Sequence, residues 1–271
     1  MPHELKESLV NRLKQVGAYD VRIANPHVDF EHGLAEQRPS RLWPDCKSVI
    51  VFAVAMSPTT NNIYAGPRAH WETDRNTGPV PQDIQSCDFA MDRLSRLFVA
   101  SISLKGIAFL YQNGYKVSFA NLQAKICAFE AGLGVYGRSG IILHPELGNR
   151  MSIGTILTDA EMEPDGRLSG FDPCADCDLC VKKCPARAYD PGKAYPDSWS
   201  RSKCMSKRAE IAGKGFYCHN CFAVCPAGRL DDKALLSIKE SIDFHRPSRQ
   251  KILANNLPEA TGDSGTSKAN T

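Results

Sequence analysis

Ser48-Val-Ile-Val-Phe-Ala-Val54 is a nearly continuous apolar run, rich in β-branched residues and bounded by Pro44 and Pro58. A strand with one wet face alternates apolar and polar residues. This one does not, so it reads as a strand buried on both faces. Other elements must then cover it from both sides. Upstream, Leu5, Leu9, Leu13 and Val16 recur at helical spacing over residues 4–16. Downstream, a helix is expected over 87–104, with Leu94, Leu97, Phe98 and Ile102 on its apolar face and Gly106 as its stop. A further helix over 121–131 leads into two short strands, Gly140-Ile-Ile-Leu-His144 and Ser152-Ile-Gly-Thr-Ile-Leu157. Helices alternating with apolar strands predict an α/β (or α+β) layered core up to residue 165. Residues 59–85, with Pro, Gly, Asn and Thr around Tyr64 and Trp71, read as a long ordered loop of the kind that usually serves function.

The texture changes after the Asp165-Gly166 turn and Pro173. Cysteine dominates from 174 to 226. One more helix is expected over 232–243, carrying Leu235, Leu236, Ile238 and Ile242, followed by a polar, flexible tail. The expected organisation is a core over 1–165, a cysteine module over 166–245 and a tail over 246–271. A chain of 271 residues is long enough for both a core and a module. No run approaches the roughly 18 apolar residues of a membrane span. The charged, amphipathic start MPHELKESLVNRLKQ has neither a signal-peptide hydrophobic region nor twin arginines. The reading is a cytoplasmic protein, where structural disulfides are rare, so eleven cysteines point to metal or catalysis.

The cysteines have a pattern. Cys174-x2-Cys177-x2-Cys180-x3-Cys184-Pro185 matches the bacterial ferredoxin run, whose fourth cysteine ligates the other cluster. Two-residue gaps let one tight loop put three thiolates on three corners of a cubane; the fourth corner comes from elsewhere. Cys218-x2-Cys221-x3-Cys225-Pro226 echoes the run with one cysteine short, and Cys204 is its natural replacement. The exchange rule then assigns Cys174, Cys177, Cys180 and Cys225 to one [4Fe-4S] cluster and Cys184, Cys204, Cys218 and Cys221 to a second. Two zinc sites are the alternative, but zinc draws on pairs of Cys-x2-Cys rather than a triple run with Cys-Pro echoes. Cys46, Cys87 and Cys127 lack such spacing and read as buried structural thiols. The formal charge of +3 counts thiols as neutral; two ligated clusters at −2 each bring it to about −1, which gives a nucleic-acid partner no support.

Gly132-Leu-Gly134-Val-Tyr-Gly137 spells the dinucleotide fingerprint, but it follows a helical stretch and leads into a strand, the reverse of the required context. Gly132 reads as a helix C-cap, and the remaining glycines suit a tight helix-to-strand connection.

Ala131-Gly-Leu-Gly-Val-Tyr-Gly-Arg-Ser-Gly-Ile-Ile-Leu-His-Pro145, Met151-Ser-Ile-Gly-Thr-Ile-Leu-Thr-Asp159 and Trp43-Pro-Asp-Cys-Lys-Ser-Val-Ile-Val51 together resemble the epoxyqueuosine reductases. The lone Cys204 before Cys218-His-Asn-Cys221-Phe-Ala-Val-Cys-Pro226 is similar to that family and to the related reductive dehalogenases. The resemblance covers residues 5–230. It implies a nitroreductase-like core that binds cobalamin and a ferredoxin-like module that passes electrons through two [4Fe-4S] clusters to it. It departs at Ser118, where those reductases place a catalytic Asp, and in lacking the C-terminal extension and the twin-arginine signal.

Further candidates follow. Gly137, Arg138, Ile142, Gly154, Ser206 and His219 are expected to contact the cofactor, His144 and Tyr115 to supply protons, and Tyr64 and Trp71 to line a cavity. Arg201, Lys203, Lys207 and Arg208 surround Cys204 and suit an acidic donor such as ferredoxin or flavodoxin. The functions in play are a cobalamin-dependent oxidoreductase acting on a small molecule, and a non-catalytic electron carrier. FMN in the core is the alternative to cobalamin.

Overall fold

The computed structural model describes residues 2–27, 35–56, 82–118, 123–212, 218 and 220–227. The apolar run forms β2 (Ser48–Ala55), buried from Ser48 to Val54. It pairs antiparallel with β1 (Asp20–Ala24) on one side and β6 (Met151–Thr158) on the other, and β3 (Val117–Ser118) pairs with β6, giving the order β1-β2-β6-β3. The period of two along β2 splits the core. Val49, Val51 and Ala53 pack with Ile126 and Cys127 of α4 (Ala124–Glu130) and with Leu133 just after it. Ile50, Phe52 and Val54 pack with Leu9 and Leu13 of α1 (Pro2–Gln15) and Ile102 and Leu110 of α3 (Gln82–Gln112). The sheet is thus sandwiched between helices, the layered α/β architecture the sequence predicts. A four-residue helix, α2 (Pro39–Leu42), precedes β2.

Gly106 does not stop its helix, as expected above; α3 runs on to Gln112. A Cβ at Gly106 would stand 2.7 Å from Ile156 Cδ1 and 3.0 Å from Leu13 Cδ2, so this glycine lets α3 approach both α1 and β6 closely. The true stop is Gly114, at φ +83°, where Tyr115 N–H bonds Leu110 O and Gly114 N–H bonds Tyr111 O, a Schellman ending.

Gly132 closes α4 (Ala124–Glu130) in the same way, through Leu133 N–H to Ala128 O and Gly132 N–H to Phe129 O, as the C-cap reading anticipates. A two-stranded ribbon follows, β4 (Val135–Tyr136) against β5 (Ile142–Leu143), so the glycine motif does connect helix to strand. Arg167 clamps this region by donating to both Glu130 oxygens at 2.8 and 2.9 Å. Asp165 exchanges backbone and side-chain hydrogen bonds with Ile23, tying the exit from the sheet to β1.

The 59–81 part of the expected loop, with Tyr64 and Trp71, lies outside the described residues; 82–85 belong to α3. Also outside them are Phe119, Asn121, His219, the helix expected at 232–243, the tail and the Cys87 side chain. All described residues fall in one compact unit, Met1–Arg229.

Gly154 faces Phe52 across the β2–β6 pair, and a Cβ there would come within 2.1 Å of the Phe52 ring. Gly154→Ala should therefore lower stability by about 2 kcal/mol. Combined with Phe52→Leu it should cost less than the two single changes added. Urea unfolding midpoints of the three variants check this; additive losses would refute it.

Candidate metal centre

Two hydrogen bonds shape the first cysteine loop. Asp172 Oδ1 accepts the Cys174 N–H at 3.0 Å, and Cys174 O accepts the Cys177 N–H at 3.2 Å. A single turn of helix, α5 (Leu179–Lys182), carries Cys180 and ends before Pro185. Arg138, from the turn after β4, reaches across to donate to Cys174 O at 3.2 Å and Ala175 O at 3.4 Å, fastening the loop to the core. Cys174, Cys177, Cys180 and Cys225 line one small cavity with Gly137, Arg138 and Pro226. Burial and then the neighbouring thiols Cys174, Cys221, Cys225 and Cys177 push the Cys180 thiol up to about 11. Such a group resists ionising unless a cationic core compensates its charge, which is what an iron-sulfur cluster supplies.

The remaining four thiols gather behind it. Burial, and after it the neighbouring thiols Cys221, Cys184 and Cys204, push the Cys218 thiol up. Cys204 sits in the first turn of α6 (Arg201–Ala212), and Cys221 in the short helix α7 (Asn220–Ala223). Arg187 takes a left-handed φ of +47°, which turns the chain so that the Ala188 N–H donates to Cys184 Sγ at 3.4 Å. The Tyr189 hydroxyl donates to Ser139 O at 3.4 Å and stands beside the Cys221 thiol, whose charged form it favours. Asn149 Nδ2 donates to Phe222 O at 2.8 Å and holds α7 against the core. Among the described residues, no three His, Cys, Asp or Glu side chains close tightly enough on one point to hold a single ion.

The other sequence candidates scatter. Gly137 and Arg138 stand in the wall of the thiol cavity. Ile142 is buried in the core, Gly154 is occupied by the Phe52 ring, and Ser206 is exposed on α6. Tyr115 packs on the α1/α3 side of the sheet. Buried His144 accepts the Glu146 and Leu147 N–H groups at Nδ1, while its Nε2 stands 3.5 Å from Asp20 Oδ2; this is a structural set of partners. Cys46 and Cys127 are buried, and burial first of all pushes their thiols up to about 11 and about 12, as inert core thiols require. In the basic group around Cys204, Lys207 pairs with Glu210 at 2.7 Å.

Sequence reading missed Tyr189 and Lys125, whose Nζ donates to Gly140 O at 3.0 Å within reach of the Cys221 charge. It also missed an aromatic cavity formed by Phe129, Tyr136 and Tyr195 beside Cys174. Tyr189 follows Cys184 by five residues, and the dense aromatics of 189–199 were the available signal.

No protein-family model matches the chain. An epoxyqueuosine reductase of Staphylococcus aureus is 33% identical over 120 residues, 40% of this chain and 30% of that protein. Another, of Listeria monocytogenes, is 26% identical over 83% of this chain and 59% of its own length. A tetrachloroethene reductive dehalogenase of Desulfitobacterium hafniense is 29% identical over 49% of this chain and 28% of its own. Among solved structures, a catabolic reductive dehalogenase matches with a TM-score of 0.65 at 20% identity, covering 86% of this chain and 33% of that one. An epoxyqueuosine reductase of Bacillus subtilis gives 0.56 at 19% identity, covering 83% and 66%. A further epoxyqueuosine reductase, solved with a tRNA stem loop, gives 0.52 at 19% identity over the same shares. The chain spans less than two thirds of the length of each of these proteins. It is related to the epoxyqueuosine reductases and reductive dehalogenases and shares their fold. No helix among the described residues is long and apolar enough to cross a membrane.

Asp20 yields a pH test. Burial pushes its carboxyl up, but hydrogen bonds from His144, Arg22 and the Val21 N–H outweigh that and hold it at about 2, below the ordinary 3.8. A depressed carboxylate contributes stability above its unfolded value and loses it as pH falls through the folded one. Asp20→Asn should therefore cost about 2 kcal/mol at pH 7, and the gap to the unsubstituted chain should close between pH 4 and pH 2. Urea unfolding across that range checks it; a gap independent of pH would refute it.

Proposed function

We propose that this chain is an iron-sulfur, corrinoid-dependent oxidoreductase. The proposed organisation is a nitroreductase-like core over 1–165 and a two-cluster module over 166–245. The observation that carries the reading is the grouping of the first thiol set: Cys174, Cys177 and Cys180 line one cavity with Cys225 from the second motif. That grouping matches the ligand exchange of two-cluster ferredoxins. Redox relatives named for epoxyqueuosine and tetrachloroethene reduction support it.

A bound corrinoid would supply a strongly reducing metal centre. The chain's own residues do the rest. Asp172 and Arg138 fix the loop that offers Cys174. Ala188 donates its N–H to Cys184 Sγ and the Tyr189 hydroxyl stands beside Cys221, and both favour the reduced, more negative cluster. Gly137, Arg138, Ser206 and His219 are the residues offered to the corrinoid. The proposed partners are a low-potential ferredoxin or flavodoxin and a small-molecule substrate, in the cytoplasm. The relative solved with a tRNA stem loop adds RNA to the substrates worth testing. A second reading, an electron carrier without a substrate, is favoured by Ser118, whose hydroxyl stands in β3 where the relatives' family places a carboxylic acid.

Anaerobic reconstitution should load about eight irons per chain, and Cys180→Ala and Cys221→Ala should each abolish a different cluster signal in EPR. About four irons, or zinc in their place, would overturn the two-cluster reading. Added cob(II)alamin should lose the nitrogen splitting of its lower axial base; an unchanged free-cobalamin spectrum would leave only the electron carrier.

Removing the Tyr189 hydroxyl gives an independent check. Tyr189→Phe should lower the midpoint potential of one cluster and leave the other unmoved in an EPR-monitored redox titration. Equal shifts in both, or none, would refute the assignment of Tyr189 to the second set.

A further inference from the structure

A cavity of about 510 Å³, within the range of small-molecule sites, lies between the turn after β4 and the 191–195 loop. Gly137, Arg138, Asp172 and Cys174 of its lining have roles proposed above, but Phe129, Tyr136, Lys193 and Tyr195 have none. Its aromatic wall is a ladder: Phe129 and Tyr136 have centroids 5.2 Å apart, and Tyr136 stacks on Tyr195 at 4.9 Å with an interplanar angle of 25°. Arg138 and Lys193 set two cations in the lining against one carboxylate, Asp172. That carboxylate is already engaged, accepting the Cys174 N–H. Lys193 is 60% exposed, and its Nζ lies 3.7 Å from Asp190 Oδ2, a loose pairing that leaves the ammonium room to turn toward a ligand. The cavity shares Gly137, Arg138 and Cys174 with the thiol cavity, so a molecule bound here rests against a proposed cluster ligand.

Aromatic faces accept planar rings of many kinds, and fixed cations beside them select ligands that carry an anionic group. Dispersion alone would hold any flat molecule; the paired cations add a requirement for phosphate. We propose that this cavity binds a nucleotide, its heteroaromatic ring laid against the Tyr136–Tyr195 stack and its phosphate held by Lys193 and Arg138. Flavin and purine nucleotides share that chemistry, and the test separates them. The inference goes beyond the proposed function, since binding here requires neither cluster nor corrinoid.

The anaerobically reconstituted full chain is titrated with FMN, with riboflavin as the same ring lacking phosphate, and with a fluorescent guanosine monophosphate. Saturable binding of FMN or of the guanosine nucleotide is expected, and which of the two binds identifies the source. Riboflavin should bind at least about tenfold more weakly than FMN if the flavin is the ligand. Lys193→Glu should weaken the bound nucleotide by about tenfold with iron content unchanged. Tyr195→Leu should weaken FMN and riboflavin alike. Should Tyr195→Leu fail to fold, Lys193→Glu, on an exposed side chain, carries the test. Absence of saturable binding by either nucleotide, riboflavin binding as tightly as a bound FMN, or no effect of Lys193→Glu on the nucleotide that binds overturns the proposal. Fluorescence is read independently of iron: a chain with eight irons and no nucleotide affinity refutes this inference alone, and one that binds nucleotide without iron refutes only the cluster reading.

Discussion

A strand with no wet face obliges the rest of the chain to bury it. β2 has apolar side chains on both sides, so α1 and α3 must cover one face and the α4 region the other. Each fully buried Leu, Ile or Phe is worth about 1.5–3 kcal/mol relative to exposure, so leaving either face open would remove a large part of the folding drive. The close approach of α3 at Gly106 and the Phe52 ring seated over Gly154 both follow from closing that sandwich tightly. The cysteine loops have no comparable core. Their residues are only partly buried, and they depend on attachment to the sheet's surroundings.

That attachment is concentrated in a turn of four residues. Gly137 to Gly140 connects β4 to β5, and its carbonyls and side chains meet three neighbours of the proposed metal centre. Arg138 grips the first cysteine loop, Ser139 O meets Tyr189, and Gly140 O meets Lys125. Tyr195 lies flat on Gly140, where a Cβ would come within 2.2 Å of its ring. A glycine-rich segment that resembles a dinucleotide fingerprint is here the joint between a rigid sheet and two thiol sets.

The legible parts of the sequence were those whose cause is local. The runs at 48–54 and 152–157 and the helically spaced leucines of the first helix carry their own local signal, and the structure has a strand or helix at each. The cysteine spacing is equally local, and the proposed grouping into sets rests on the exchange rule. Distance defeated the rest. β1 is five residues long and takes its register from β2, so nothing in Asp20–Ala24 alone announced it. Gly106 was read by the local rule for stops, whereas its reason lies in Leu13 and Ile156, far along the chain. Gly154 suggested a ligand's approach, and the approaching group is Phe52. His144 suggested acid-base chemistry because of its residue type, and its partners are two backbone N–H groups and Asp20.

The crossing of ligands has a consequence for biosynthesis. On the proposed sets, Cys225 completes the site begun by Cys174, Cys177 and Cys180, while Cys184 belongs to the site completed by Cys218 and Cys221. The two sites are interlocked along the chain. A ribosome that has released residues 174–184 has delivered three corners of one cube and one of the other, and neither can close until about forty more residues emerge. On the proposed sets, a chain truncated before Cys218 would leave both cubes incomplete, and one truncated between Cys221 and Cys225 would leave the first alone without its fourth ligand.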